Sequence, residues 1–362
     1  MTNAANTPRS APTTANPMTN MTAPASVIRP RPTSTQTLAD LTEGAVLARI
    51  FPRLPAAKAE LLGPGDDAAV ISAPDGRFVV TTDMMIQGPD FRLAWSTPHD
   101  LGWKAAATNL SDVAAMGARP TALVVAIAAP PSTPVSVLEG IADGLRDCCE
   151  ALAPGCGVVG GDLSAADALT LAVTAFGDLE GRAPVLRSGA RPGDVVALAG
   201  RLGAAGIGLE LLFRLGVDAH GVPDAERADA LKLTHPTEVA AQLTPMPPIE
   251  SGPLAALAGA TAMLDVSDGL AIDAGRIARA SAVRIDFDST CLGERIEVAL
   301  GGGEDHGLLA TFPSDAVLPP GFRRLGTVNA ASAADSGTIT VDGVPHDQGG
   351  WDPYRGWDGA VG

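Results

Sequence analysis

The chain has 362 residues, 46% of them hydrophobic, and a formal net charge of −16. Its length suits two ordinary domains with full cores, and its excess of acid argues against nucleic acid or an anionic membrane face as a partner. No run reaches the ~18 consecutive apolar residues of a membrane span, and the cysteines, Cys148, Cys149, Cys156 and Cys291, form no CxxC pair, which fits buried hydrophobes in a reduced, cytoplasmic compartment.

Residues 1–36 are rich in Thr, Pro, Ala and Asn and carry arginine but no acid, the composition of a disordered tail. A first helix is predicted from Thr42 to Phe51. The apolar runs Ala68 to Ser72 and Arg77 to Thr81 flank Pro74-Asp75-Gly76 and read as a β-hairpin. Such a hairpin would bring Asp66 and Asp67 beside Asp83. Next comes a helix from Asp100 to Met116, closed by Gly117, with Lys104, Thr108 and Ser111 on one flank. Asp112 lies in its last turn, where an acid opposes the helix dipole, so it has a weak local reason to be absent and a functional reason to be present. The strand Thr121 to Ala128, the helix Val135 to Leu152, the strand Gly157 to Gly160 and the strand Leu169 to Phe176 follow. This interleaving predicts an α/β sandwich with a mixed sheet.

A boundary is expected between Asp178 and Arg187, giving an N-terminal α/β domain over 37–180 and a C-terminal α/β domain over 181–362. The second unit should contain the strand Val195 to Ala199, the glycine-rich stretch Gly200 to Gly208, the helix Thr237 to Leu243, the strand Ala262 to Val266 and the helix Gly269 to Ala280. His235, before Pro236, marks a helix entry.

Six short acidic motifs fall where strands or helices should end: Gly65-Asp66-Asp67, Thr81-Thr82-Asp83, Asn109-Leu110-Ser111-Asp112, Gly160-Gly161-Asp162, Asp265-Val266-Ser267-Asp268 and Gly302-Gly303-Glu304-Asp305. Carboxylates beside small or hydroxylated residues suit hard divalent cations; Mg²⁺ is usually held by a few carboxylates together with substrate phosphates. Asp265 and Ser267 should share one side of a strand end, with Asp268 at the N-cap of the next helix. Arg187 offers a guanidinium for a nucleotide phosphate. Gly200 to Gly208 lacks the end of a Walker A motif, leaving a phosphate loop and a tightly packed turn as alternatives. No Ser-His-Asp arrangement and no catalytic cysteine emerges.

In order and spacing these motifs resemble the thiamine-monophosphate kinase family, within the superfamily of aminoimidazole ribonucleotide synthetase. The resemblance also takes in Asp100-Leu101-Gly102-Trp103-Lys104, Arg187-Ser188-Gly189-Ala190 and Gly350-Trp351-Asp352. It implies ATP-dependent phosphorylation of thiamine phosphate to thiamine diphosphate, several Mg²⁺ ions, and a homodimer whose N-terminal domains close a β-barrel. Carried over motif by motif, Asp66, Thr81, Thr82, Asp83, Asp112, Asp162, Asp265 and Asp268 would bind Mg²⁺. Gly161, Asp162, Arg187 and Ser267 would contact ATP, and Asp90, Glu304 and Trp351 would line the acceptor pocket. The chain departs from the family at three points: Asp90 stands where a His is common, Leu163 follows Gly-Gly-Asp in place of Thr, and Glu304-Asp305-His306-Gly307 replaces Glu-Asp-Tyr-Glu. Another ATP-using member of the superfamily and a non-catalytic paralogue are the rival readings.

Overall fold

A computed structural model describes residues 36–64, 68–333, 335–347 and 349. The expected tail, apart from Gln36, lies outside the described residues, as do Asp66, Asp67 and Trp351.

Helix α1 (Glu43–Ile50) starts at Thr42, whose hydroxyl accepts from the Ala45 amide. Strands β1 (Glu60–Leu62) and β2 (Val70–Ile71) pair with each other, whereas β3 (Val79–Ile86) joins a different sheet. The predicted hairpin therefore does not form. Both apolar runs do contain strands, but Val70 and Ile71 pair back onto Leu62 and Glu60, and β3 aligns along its whole length with a later strand. A turn sequence permits a hairpin; the larger apolar surface available elsewhere decides the pairing.

Helix α2 (Pro98–Ala115), strand β4 (Arg119–Ala129), helix α3 (Val135–Leu152), and strands β5 (Gly157–Ala165) and β6 (Thr170–Asp178) complete this half. Thr97 and Asp100 form a capping box at the start of α2, with Pro98 in the first turn, so the helix begins two residues before the expected Asp100. The four strands run β3-β6-β4-β5, antiparallel except for the β4–β5 pair, whose parallel connection is made by α3. Along β6, buried and half-exposed residues alternate strictly. The inner face, with Met85, Val125, Leu171 and Val173, packs on α2 and α3. The outer face leaves Phe78, Val80, Met84 and Ile86 exposed.

The second half adds β7 (Val195–Ala199), α4 (Ala204–Leu215), α5 (Ala225–Thr234), α6 (Pro236–Leu243), α7 (Ser251–Leu257), β8 (Ala262–Val266), α8 (Leu270–Ser281), β9 (Val283–Phe287), α9 (Ile296–Gly301), β10 (Gly307–Phe312), β11 (Phe322–Ala330), β12 (Ile339–Val341) and β13 (Val344–His346). Their sheet has the order β13-β12-β9-β11-β7-β10-β8. Strand β7 is apolar throughout, and β8 and β10 are buried along their whole length, Asp265 and Thr311 included, because both faces are covered there. Leu264 and Val266 meet α8 through Ala271, Ala274 and Ile277. Met263, Leu308 and Ala310 share a core with α2.

Helix α2 is thus central to the molecule. It is buried on nearly every side, consistent with the run Ala105-Ala106-Ala107, and lies between the two sheets. Its approach to α3 is close enough to require glycine: a Cβ on Gly102 would lie 2.0 Å from the Ile141 carbonyl, and one on Gly144 2.1 Å from that of His99.

Candidate active site

The position of α2 between the sheets brings together acids that are distant in sequence. Thr81 and Asp83 project from the inner face of β3, Asp112 from the last turn of α2, and Asp265 from β8 on the same side as Met263. The Thr81 hydroxyl donates to Asp112 Oδ2 at 2.8 Å, and the Asp83 amide donates to Asn109 Oδ1 at 3.1 Å. Asn109 is fixed in turn by donating to the Ala105 carbonyl at 2.9 Å.

The electrostatics match a site that wants cations. Burial pushes the Asp112 carboxyl up to about 7, with the charges of Asp265 and Asp83 adding to the effect against the Thr81 hydrogen bond. Asp83, although open to the cleft, is also raised, first by desolvation and then by Asp265. Acids this close hold their protons more tightly unless a cation neutralises them. Among the described residues no three His, Cys, Asp or Glu side chains stand at metal-binding spacing. The donor set fits Mg²⁺, whose shell takes hydroxyl, water and phosphate oxygens alongside a few carboxylates.

The loop after β8 is held by a residue the motif reading missed. Asp273 Oδ2 accepts from the amides of Ser267 and Asp268 at 3.1 and 3.0 Å, and its other oxygen pairs with Arg276. Arg276 also reaches Asp268 Oδ2 at 2.6 Å. Burial raises Asp273 to about 6 against these hydrogen bonds and Arg276. Its place in the first turn of α8 was the available sequence signal. Asp268 is not the N-cap: Gly269 takes that position, with φ 121°, and Asp268 faces Arg276 instead.

The segment before β10 returns to the same place. The Glu304 amide donates to the Ser267 carbonyl at 2.9 Å, and the His306 amide to Val266 at 3.0 Å. Glu304 and His306 both have positive φ, 71° and 51°, a conformation costly for residues with a Cβ and maintained by these contacts. Gly303 is required because a Cβ there would lie 2.3 Å from the Ser267 carbonyl. His306 Nδ1 lies 3.0 Å from Asp265 Oδ2, and Ser111 donates to the His306 carbonyl at 3.3 Å. Burial disfavours the charged imidazole, but the Asp265 hydrogen bond and charge, with Glu304, outweigh it and raise His306.

Beyond these acids opens a cavity of about 510 Å³ bounded by the loop after β3, α2, α4 and the 301–304 turn. Asp90, Lys104, Ser267 and Glu304 line it, with the side chain of Arg92 stacked on Trp95 and Phe213. Lys104, almost wholly buried, pairs with Glu304 Oε2 at 2.5 Å. Lys104 and His306 hold the Glu304 carboxyl below its usual range, although burial alone would raise it. Asp90 Oδ2 accepts from the Ile86 amide at 2.7 Å, so this carboxylate also closes the end of β3; burial first, then Glu304, raises it.

Other expected site residues lie elsewhere in this protomer. Thr82 faces outward and receives a hydrogen bond from Thr174. Gly161 and Asp162 are exposed on β5, the opposite edge strand; register aligns Asp162 with Ala126, Ala172 and Met84, three strand spacings or roughly 14 Å across. The exposed Arg187 accepts at its carbonyl from Ser281, at the far end of α8 from Asp268, a helix about 18 Å long. The glycine stretch is a packed turn: Asp305 Oδ1 accepts from the Ala205 amide at 3.0 Å, occupying the N-terminus of α4, and a Cβ on Gly208 would lie 2.1 Å from the Glu238 carbonyl.

A helix-backed mixed sheet joined through α2 to a second sheet, with acids converging at the junction, defines a protein of the AIR synthase related class, and the model of that family's N-terminal domain matches residues 65–179. Thiamine-monophosphate kinase of Mycobacterium tuberculosis is 42% identical over 340 residues, covering 90% of this chain and 93% of that protein. The crystal structure of thiamine monophosphate kinase from Aquifex aeolicus superposes with a TM-score of 0.64 at 31% identity, covering 76% of this chain and 91% of that one. A related structure, AaThiL complexed with AMPPCP and TMP, gives a TM-score of 0.65 at 30% identity, covering 79% and 90%. The chain belongs to the thiamine-monophosphate kinase family.

Proposed function

We propose that the chain transfers the γ-phosphoryl group of ATP to thiamine phosphate, forming thiamine diphosphate and ADP. The observation that carries this reading is that the acid group of Thr81, Asp83, Asp112 and Asp265 neighbours Glu304, which with Lys104 lines the adjoining cavity. A relative's complex with AMPPCP and TMP supports the same pair of ligands.

The acceptor phosphate has a second pKa of about 6, by analogy with phosphorylated side chains, so at neutral pH it is already largely a dianionic nucleophile. No general base is required. The obstacle is repulsion between two polyanions, and bound Mg²⁺ supplies the charge neutralisation and alignment that in-line transfer needs. Thr81, Asp83, Asp112, Asp265 and Asp268 would hold the ions here, with Asp66 joining them. Asn109, Ser111 and Asp273 keep the backbones of Asp83, His306 and Ser267 in position. Ser267 and Arg187 are assigned to ATP, and Glu304, Asp90 and Trp351 to the acceptor.

We infer a homodimer as well. The outward residues Phe78, Val80, Met84 and Ile86 form an apolar sheet face that a second copy would cover. Thr82 and Asp162 share that face, so their assigned metal and nucleotide roles, with that of neighbouring Gly161, would be exercised where two copies meet. A reducing cytoplasm suits the free cysteines, Cys148, Cys149 and Cys156 being buried. Among the described residues no helix is long and apolar enough to cross a membrane.

The decisive experiment supplies purified protein with ATP, Mg²⁺ and thiamine phosphate, and in parallel with thiamine and unrelated phosphate esters. Thiamine diphosphate should appear only in the first mixture. Its absence where ATP binds tightly would exclude the kinase reading.

A further inference from the structure

Lys104 is a cation enclosed by the protein at the junction of the acid cluster and the acceptor cavity. A buried charge needs a partner. Here the partners are Glu304 at 2.5 Å and Gln242, whose amide, oriented with its oxygen toward the lysine, accepts from Nζ at 3.2 Å and donates to the Ala205 carbonyl at 3.1 Å. Glu304 keeps a surface toward the cavity, and its backbone is pinned to Ser267. Asp90, Arg92 and Glu297 also line the cavity, but Lys104 and Glu304 are paired directly, each charge satisfied by the other when nothing else is present.

Thiamine phosphate is itself a zwitterion, with a permanent thiazolium cation joined by a short ethyl arm to a phosphate. We propose that the Lys104–Glu304 pair stands in for the two charges of the acceptor and opens when it binds, Lys104 turning to the phosphate and Glu304 to the thiazolium. This rests on the kinase reading above and adds a device for acceptor selection. Each buried charge exchanges one partner for another, so no charge is stranded. Thiamine lacks the phosphate: its cation must take Glu304 from Lys104 and offers the lysine nothing. A phosphate without a cation leaves Glu304 unpaired. The site thereby selects for the presence of both charges on one ligand.

The test is calorimetric titration of wild type, Lys104→Met, Lys104→Arg and Glu304→Gln with thiamine phosphate and with thiamine, in Mg²⁺ and AMPPCP, alongside wild-type turnover. Lys104→Met should lose at least about 30-fold in affinity for thiamine phosphate while binding thiamine as well as or better than wild type. Lys104→Arg should retain the preference for the phosphate ester, and Glu304→Gln should weaken both thiazolium ligands. Loss of both ligands by the same factor in Lys104→Met would reduce the lysine to a structural support and overturn the proposal, as would unchanged affinity for thiamine phosphate. If Lys104→Met does not fold, Glu304→Gln binding both ligands like wild type overturns it. No wild-type turnover of thiamine phosphate overturns the kinase reading too; wild-type turnover together with a Lys104→Met variant that keeps the wild-type preference between the two ligands overturns the exchange alone.

Discussion

Replacing Asp112 by Asn should stabilise the metal-free protein while abolishing its activity. Burial, with Asp265 and Asp83, raises this carboxyl from 3.8 to about 7 in the folded chain. The folded state then binds the proton more tightly than the unfolded state. Asp112 costs nothing below about pH 4, costs progressively more as pH rises toward 7, and imposes its full penalty above that. The difference corresponds to about 4 kcal/mol at most. Asp112 is only half-buried and borders an open cleft, and screening there reduces the figure to about 1–2 kcal/mol. Asn is nearly isosteric and its oxygen still accepts the Thr81 hydroxyl, so little else changes. At about 2–4 °C per kcal/mol for domains of 150–250 residues, the melting temperature in chelator at pH 8 should rise by about 3–6 °C, with no difference between variant and wild type near pH 4. Saturating Mg²⁺ should reverse the order, because only the wild type retains the full ligand set. A shift of equal size at both pH values, or no shift at pH 8, would refute the account of Asp112 as a carboxylate strained by its neighbours.

Three further outcomes follow from the packing. Gly144→Ala, which drives a Cβ to 2.1 Å from the His99 carbonyl, should cost about 1–3 kcal/mol in urea denaturation by forcing α2 from α3; a neutral result would contradict the close helix approach. Asp273→Ala removes the acceptor for two backbone amides, and should cost about 1–3 kcal/mol in stability and lower kcat/KM for ATP; unchanged steady-state kinetics would deny it a positioning role. Met84→Lys puts a charge on the outer sheet face and should convert a dimer into a monomer by light scattering; a variant as dimeric as wild type would move the interface elsewhere.

Regular elements were readable where local signals agreed. Helix α3 and strands β7 and β8 have their predicted limits because apolar periodicity and flanking turns coincide, and the start of α6 follows from Pro236. The hairpin failed because pairing depends on which surfaces need cover, and the turn Pro74-Asp75-Gly76 carries no such information. The assignment of Asp268 as a helix cap failed because its partner lies outside the local sequence pattern: Asp268 pairs with Arg276, Gly269 takes the cap position, and Asp273 holds the amides of Ser267 and Asp268 from inside the helix.

The sequence by itself determined the chemistry on offer: acids beside hydroxyls, a strongly acidic chain, and the family whose motif order these residues follow. Those depend on residue identity and spacing, which one chain records directly. The tertiary structure decided which acids meet. Strand alternation turns Thr81 and Asp83 inward while Thr82 turns outward, three strand spacings separate Asp162 from Met84, and the burial of α2 between two sheets brings Asp112 to Asp265. It also decided that Lys104 pairs with Glu304, two hundred residues along the chain, because Lys104 is enclosed at that junction and its charge is not stable there alone.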